Sequence, residues 1–247
     1  MRILVFANHK GGVGKTASVS AISAVLAQKG FKVLMVDLDS QANLTLNYLP
    51  KVPERTIHDA IIKRRDIPVY EISENLHIVP STLDMAMIEA EISAMRRREY
   101  ILNDLLLPLS DRYDYVLVDC PPALGMITTN AMTIADDVYV PMLADGLSMY
   151  GLAMMSDFVE QNKELNDSLK ISGVFFTRYS NRTIVANTVE RTVRGKYGSL
   201  VAQTVIHENV KVTEAFISKT DLLTYDAGCK AAQDYMALTD EMINKKM

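Results

Sequence analysis

Several scarcities narrow the field before any motif is read. The chain has only two cysteines, Cys120 and Cys229, far apart in 247 residues. That is neither a disulfide framework nor a paired metal motif. No apolar run approaches the length needed to span a bilayer. Residues 3–8 are too short for the apolar core of a secretory leader and run directly into a glycine-rich loop. A cytoplasmic location is the expectation. Neither charge sign dominates: 26 Lys and Arg stand against 30 Asp and Glu, a net charge of −4. A globally basic nucleic-acid binder is disfavoured, a local basic patch is not. Low-complexity segments, repeats and long linkers are missing too. With 49% hydrophobic and 23% charged residues, a full-sized core is available and disorder is not expected.

What is present is concentrated near the start. A short apolar run, Ile3 to Ala7, leads into Lys10, Gly11, Gly12, Val13, Gly14, Lys15 and Thr16. Glycines at these places permit backbone angles and close approaches that a side chain would block. The helix that begins near Lys15 aims its free N–H groups and its positive dipole end at an anion. Lys15 would reach the β- and γ-phosphates and the Thr16 hydroxyl would bind Mg²⁺. The pattern is that of a nucleotide-binding loop, with one addition, a second lysine at the front, Lys10.

Two further strands end in carboxylates. Residues 32–37 are a buried run that closes on Asp37 and passes into Leu38, Asp39, Ser40 and Gln41. A carboxylate at Asp39 would lie near the γ-phosphate, where it could orient water, since phosphoryl transfer is mostly positioning. Asp37 either closes the strand or supports Mg²⁺ indirectly. Residues 114–119 end in Asp119, followed by Cys120, Pro121 and Pro122. This fits a Walker B element with Asp119 holding Mg²⁺ through water. Cys120 reads as a small buried residue, since no basic partner is evident.

Periodicity predicts strands over 2–8, 32–37, 76–79, 114–119, 137–141, 171–177 and 203–206. Helical patterns cover 16–29, 82–107, 124–135, 148–165, 182–195 and 227–243. Their alternation implies a single-domain α/β fold: a mostly parallel twisted sheet with helices on both faces, and ligands beyond the carboxyl ends of the strands.

Lys10 to Thr16, the Asp37–Asn43 segment, and Asp119-Cys120-Pro121-Pro122 continuing through Gly125 to Asn130 together resemble the ParA partition ATPases of the deviant Walker A superfamily, over essentially the whole chain. The resemblance implies a P-loop NTPase that dimerises around ATP and Mg²⁺. Lys10 would cross to the partner's phosphates and act in catalysis with Lys15 and Asp39. Gly11, Gly12, Val13, Gly14 and Ala17 would line the phosphates. Thr16, Asp39 and Asp119 would serve Mg²⁺. His207 and Asn209 occupy positions where the family lines its adenine pocket, and Asn130 lies beside a switch. Ala17 replaces a usual threonine, and Ser40 a usual proline. The loop starts at residue 10, as in the short form without a helix-turn-helix.

Residues 170–230 carry nine Lys and Arg against five acids, a net +4 within a chain of −4. That asymmetry is the kind a phosphate-backbone surface needs. Arg178, Arg182, Arg191, Arg194, Lys211 and Lys219 are its candidates. The resemblance implies nonspecific duplex DNA as their ligand, nucleoid association, and a ParB-like centromere-binding protein that stimulates hydrolysis. Lys63-Arg64-Arg65 and Arg96-Arg97-Arg98 read as solvated charge runs, and six methionines between 126 and 155 as core or dimer packing. A MinD-like membrane ATPase shares the loop, but residues 230–247 sum to zero charge, against a basic membrane-lying helix. An iron–sulfur reductase would need differently placed cysteines. A cargo positioner of the same family would have the same biochemistry.

Overall fold

A computed structural model of the chain describes residues 1–244. Seven strands form one sheet: β1 Arg2–Phe6, β2 Val33–Asp37, β3 Tyr70–Ser73, β4 Leu76–Val79, β5 Tyr115–Asp119, β6 Asp137–Met142 and β7 Ile171–Phe176. The spatial order is β3-β4-β2-β5-β1-β6-β7. All pairings are parallel except β3 with β4, at one edge. The helices are α1 Lys15–Gln28, α2 Asn43–Tyr48, α3 Ile57–Lys63, α4 Ile88–Ile92, α5 Ile101–Leu106, α6 Met126–Ile134, α7 Gly146–Asn162, α8 Ile184–Tyr197, α9 Val210–Ile217, α10 Leu222–Asp226 and α11 Lys230–Asn244.

The inner strands are largely apolar because both sheet faces are covered there, whereas the edge strand β3 leaves Glu71 and Ser73 exposed. Successive side chains alternate between two cores. Ile3, Val5, Val36, Val116 and Val118 pack towards α3 to α8. Leu4, Phe6, Met35 and Leu117 pack towards α1, α10 and α11. The chain runs outward from β1 to β2 and on to β3 at the edge, returns through β4 and β5, and then adds β6 and β7 on the other side. The loop after β1 thus lies where the strand order reverses, the usual ligand position in such sheets.

Two predicted elements are corrected. Residues 82–107 are not one helix. A 3-10 turn leads into α4, and Arg97, with φ of 52°, interrupts the path before α5. Residues 203–206 do not form a ladder strand. Only isolated bridges flank them, Val174 with Val201 and Tyr179 with His207. The Glu241 carboxylate on α11 takes the Gln203 and Thr204 N–H groups, at 2.7 and 3.0 Å, that a ladder would have used. The short elements α2, α3, β3, α9 and α10 carry too few residues for a period to show. Three of the six methionines, Met132, Met142 and Met155, are fully buried core residues. Lys245, Lys246 and Met247, part of the charge argument at the carboxyl end, lie outside the described residues. No helix among the described residues is long and apolar enough to cross a membrane.

Candidate nucleotide site

The loop between β1 and α1 has the backbone its composition anticipates. Gly12 and Gly14 sit at φ of 72° and 81°, left-handed angles that suit glycine. Gly14 directly precedes α1, so the helix starts with its N–H groups unspent. Val13 is buried, and its carbonyl accepts the Thr177 hydroxyl at 2.8 Å, which ties the loop to the end of β7.

Lys15 is buried at 6% exposure, and its Nζ donates to the carbonyls of Asn8 at 3.1 Å and Lys10 at 3.3 Å. Burial pulls its pKa down, against the charges of Asp119 and Asp39. Asn8 organises the same loop. Its amide donates to the Pro141 carbonyl and its side-chain oxygen accepts the Lys10 N–H.

Asp119 and Asp37 are registered partners at the tips of β5 and β2. Burial, then the charge of Asp37, raises the Asp119 pKa well above the carboxylate range, with the nearby Thr16 hydroxyl and Lys15 acting in the other direction. Both Asp119 oxygens are buried, and neither accepts a well-formed hydrogen bond from any described residue. An orphaned buried carboxylate beside a P-loop lysine and threonine fits a hydrated divalent cation. Among the described residues no three His, Cys, Asp or Glu converge as a complete metal cage. That suits Mg²⁺, which keeps water and substrate phosphate as ligands.

Asp37 has another task. It accepts the Thr45 N–H at 2.9 Å, the Thr45 hydroxyl at 2.7 Å and the Asp39 N–H at 3.1 Å. Burial raises its pKa to about 7 despite these bonds. It therefore builds the turn that places Asp39. Ser81 closes the network: its N–H donates to the Thr45 hydroxyl and its hydroxyl to the Asp39 carbonyl. The Asp39 carboxylate accepts the Gln41 N–H and stays at the cavity wall. Cys120 is buried, and burial pushes its thiol pKa up, so it is no nucleophile.

A cavity of about 410 Å³ runs over Gly11, Gly12, Gly14, Lys15, Thr16 and Asp39. A neighbouring one of about 500 Å³ shares Gly14 and Ala17 and is lined by Thr177, His207 and Asn209. Asn209 also caps α9, accepting the Lys211 N–H at 2.9 Å. His207 is held from behind: its N–H and ring both bond the buried Asp234 carboxylate of α11. Asn130 spends its side chain on Leu102, Arg98 and Met126, joining the 98–102 turn to α6.

The sequence reading missed Asp145. It caps α7 through the Ser148 N–H at 2.8 Å and pairs with Lys10 Nζ at 2.6 Å. Burial raises its pKa, but the bonds from Lys10 and Ser148 outweigh burial and hold it below the usual range. Its position after an apolar strand and before a helical pattern was a usable signal. Asn8, Ser81 and Thr177 lie just past strand ends and Thr45 lies in α2; none has a sequence pattern of its own.

The basic candidates are scattered in role. Arg178 pairs with Glu208 at 3.0 Å, and Lys211 with Glu214 at 2.8 Å. Arg194 pairs with Glu190 at 2.8 Å and also donates to the Ala202 carbonyl, bracing α8. Lys219 donates to the Pro50 carbonyl. Arg182 and Arg191 are exposed and form no ion pair with a described residue.

Residues 1–171 match the AAA domain family. The chain is 35% identical to the chromosome-partitioning ATPase Soj of Treponema pallidum, covering 98% of this chain and 97% of Soj. It is also 35% identical to the chromosome partitioning protein ParA of Caulobacter vibrioides, covering 100% and 95%. A solved structure described as cobyrinic acid a,c-diamide synthase from Mycobacterium smegmatis, with bound ADP and magnesium, superposes with a TM-score of 0.84 at 30% identity, covering 97% and 93%. On its loop, its two acidic strand tips and this full-length similarity, the chain belongs to the Soj/ParA family of partition ATPases.

Proposed function

We propose that this protein is an ATP-dependent dimerising switch that binds nonspecific duplex DNA and drives partition of a plasmid or chromosome. The observation that carries the reading is the orphaned Asp119 carboxylate at the foot of the Lys15–Thr16 loop. The phosphates of ATP would lie along the N–H groups of residues 11–16, with the base in the cavity beside Asn209. Thr16 and Asp119, with Asp39, would hold Mg²⁺, which supplies charge neutralisation on the phosphates. Asp39 orients the attacking water and Lys15 stabilises charge on the transferring group. Lys10 would serve the partner's nucleotide.

The α7 face supports self-association. Leu147 and Tyr150 are 74% and 68% exposed, in the first turns of the helix that Asp145 caps beside Lys10. An apolar border around a charged contact is what a protein interface needs. The homologues named for chromosome partitioning support DNA and a ParB-like centromere-binding protein as partners.

The test is retention on nonspecific duplex DNA at low salt with ATP, with ADP and without nucleotide, with Asp39→Ala beside wild type. ATP-dependent, salt-sensitive retention, prolonged in Asp39→Ala, is the expected result. Absence of DNA binding despite ATP-driven dimerisation would overturn the DNA half of the proposal.

A further inference from the structure

The segment that carries His207 and Asn209 is hung on α11 rather than on the sheet. The Glu241 carboxylate takes the Gln203 and Thr204 N–H groups, and the Asp234 carboxylate takes the His207 N–H at 3.0 Å. Residues 234 and 241 are about two turns apart on one helix and so share a face. The backbone on either side of His207 is fixed as well. The Ile206 carbonyl accepts the Tyr179 N–H at 2.9 Å, and the Glu208 N–H donates to the Tyr179 carbonyl at 3.3 Å. Tyr235, next to Asp234, lines both the phosphate cavity and the adjoining one, and its hydroxyl meets that of Ser18 on α1 at 3.1 Å. One helix therefore sets α1 and the 203–209 loop relative to each other.

Between these anchors the His207 ring has one nitrogen committed and one open. Its Nδ1 lies 2.8 Å from one Asp234 oxygen, and Lys230 Nζ bonds the other. Burial raises the Asp234 pKa, but the bonds from Lys230 and His207 outweigh it and hold the carboxyl below its usual range. Asp234 is thus ionised at neutral pH and can only accept, so the proton between them sits on His207 Nδ1. Nε2, on the other side of the ring, has no hydrogen-bond partner among the described residues. The side chain is 35% exposed and lines the cavity of about 500 Å³ together with Asn209. The charges around the ring are balanced: Asp234 by Lys230, Arg178 by Glu208 at 3.0 Å, and Glu190, which accepts the Tyr179 hydroxyl, by Arg194 at 2.8 Å. Tyr179 itself meets the ring edge-on at 6.2 Å between centroids. The ionisable side chains lining this cavity, among the described residues, are Arg178, His207, Glu208 and Tyr235. Histidine is the one residue type of these that changes charge near neutral pH.

We propose that His207, its tautomer set by Asp234, accepts a hydrogen bond through Nε2 from the 6-amino group of the bound purine. Adenine carries a donor at that position and guanine an acceptor. The neutral ring therefore selects ATP over GTP. A protonated ring presents a donor instead and gives up that selection. His207 is the specificity-determining residue and Asp234 its positioning residue. The inference rests on the nucleotide site of the proposed function, to which it adds base choice and the pH dependence of that choice. A histidine that only anchors the loop, without touching the base, would leave base choice independent of pH.

The experiment measures the affinity of the full chain for ATP and for GTP, each with Mg²⁺, by calorimetry at about pH 8 and about pH 5.5, on either side of an ordinary histidine titration. The ratio of the two affinities is the readout, because titration of the phosphates affects both nucleotides alike and cancels. Wild type is expected to prefer ATP at least about tenfold at the higher pH, the scale of one polar group left unpaired, and to lose at least about threefold of that ratio at the lower pH. His207→Asn keeps an N–H for Asp234 near the place of Nδ1 and has no atom at the place of Nε2. Its ratio should be smaller and the same at both pH values. Asp234→Asn can donate to the ring as well as accept, which frees the other tautomer. Its ratio at the higher pH should fall while both nucleotides still bind. Thermal melts without nucleotide show that each variant is folded. A wild-type ratio that does not change with pH, or a His207→Asn ratio equal to wild type at both values, would overturn the inference and leave the nucleotide site intact. An unchanged ratio in Asp234→Asn would overturn the positioning role of Asp234. Wild type that binds neither nucleotide would overturn the proposed function as well.

Discussion

Lys10 Nζ lies 2.6 Å from one oxygen of Asp145, while the other oxygen of that carboxylate accepts the Ser148 N–H at 2.8 Å. In a single chain, the lysine proposed to act across a dimer is thus held at home by the N-cap of α7. The pair is partly exposed, so solvent screens it, and it is worth about 0.2–1 kcal/mol. Asp145→Asn keeps a good helix cap and removes the counter-charge. It is expected to tighten ATP-dependent dimerisation by up to roughly fivefold, since about 1 kcal/mol is that factor. Sedimentation over a concentration series at fixed ATP checks this. Weaker dimerisation would mean that the carboxylate assists assembly.

Asp119→Asn should act with opposite signs on two properties. The native carboxylate is buried without a hydrogen bond and faces Asp37 across the β2–β5 register. Removing its charge should stabilise the nucleotide-free protein by about 1 kcal/mol, roughly 2–4 °C in Tm for a chain of this size. It should also abolish the stabilisation by ATP with Mg²⁺, about 2.7 kcal/mol for wild type at a hundredfold excess over Kd. Thermal melts with and without nucleotide read both. A lower Tm without nucleotide would show that the carboxylate supports the apo fold.

Tyr150→Glu places a charge on the exposed apolar start of α7. Dimerisation is expected to fall at least about tenfold, because a desolvated unpaired charge disfavours an interface. Binding of a fluorescent ATP analogue by the monomer should be unchanged. Normal dimerisation would remove this face from the interface.

Asp234 links stability to acid pH. Burial raises its pKa, but hydrogen bonds from Lys230 and from the N–H and ring of His207 outweigh burial and hold it below the usual carboxylate range. A depressed folded-state pKa contributes stability that is present above the unfolded value, about 3.9, and is lost as pH falls through the lower folded value. Melts between pH 2 and 6 should therefore show an acid limb that Asp234→Asn flattens. Asp234→Ala should cost about 1–3 kcal/mol at neutral pH by leaving the His207 N–H without its partner. An unchanged acid limb in Asp234→Asn would place the titration elsewhere.

The parts legible without coordinates were those that local chemistry dictates. Gly12 and Gly14 are glycines at left-handed backbone angles, and Lys15, Thr16 and Asp119 are the residue types that a phosphate with Mg²⁺ calls for. The long apolar strands declared the α/β class through period and alternation. Short or diverted elements were not legible. Residues 203–206 have strand composition, yet Glu241, almost forty residues later, takes their N–H groups. Residues 82–107 keep helical spacing across a break that Arg97 makes with one left-handed residue.

The same division holds for function. The sequence alone determined the nucleotide loop, the acidic strand tips, the family and the fold class, because each follows from residue types within a few positions of one another. Tertiary structure decided which charges remain free. It paired Lys10 with Asp145, Arg194 with Glu190 and Lys211 with Glu214, and it set Arg64 against Arg96. Coulomb interactions and hydrogen bonds depend on distance in space, and a count of charges along the chain carries no such distance.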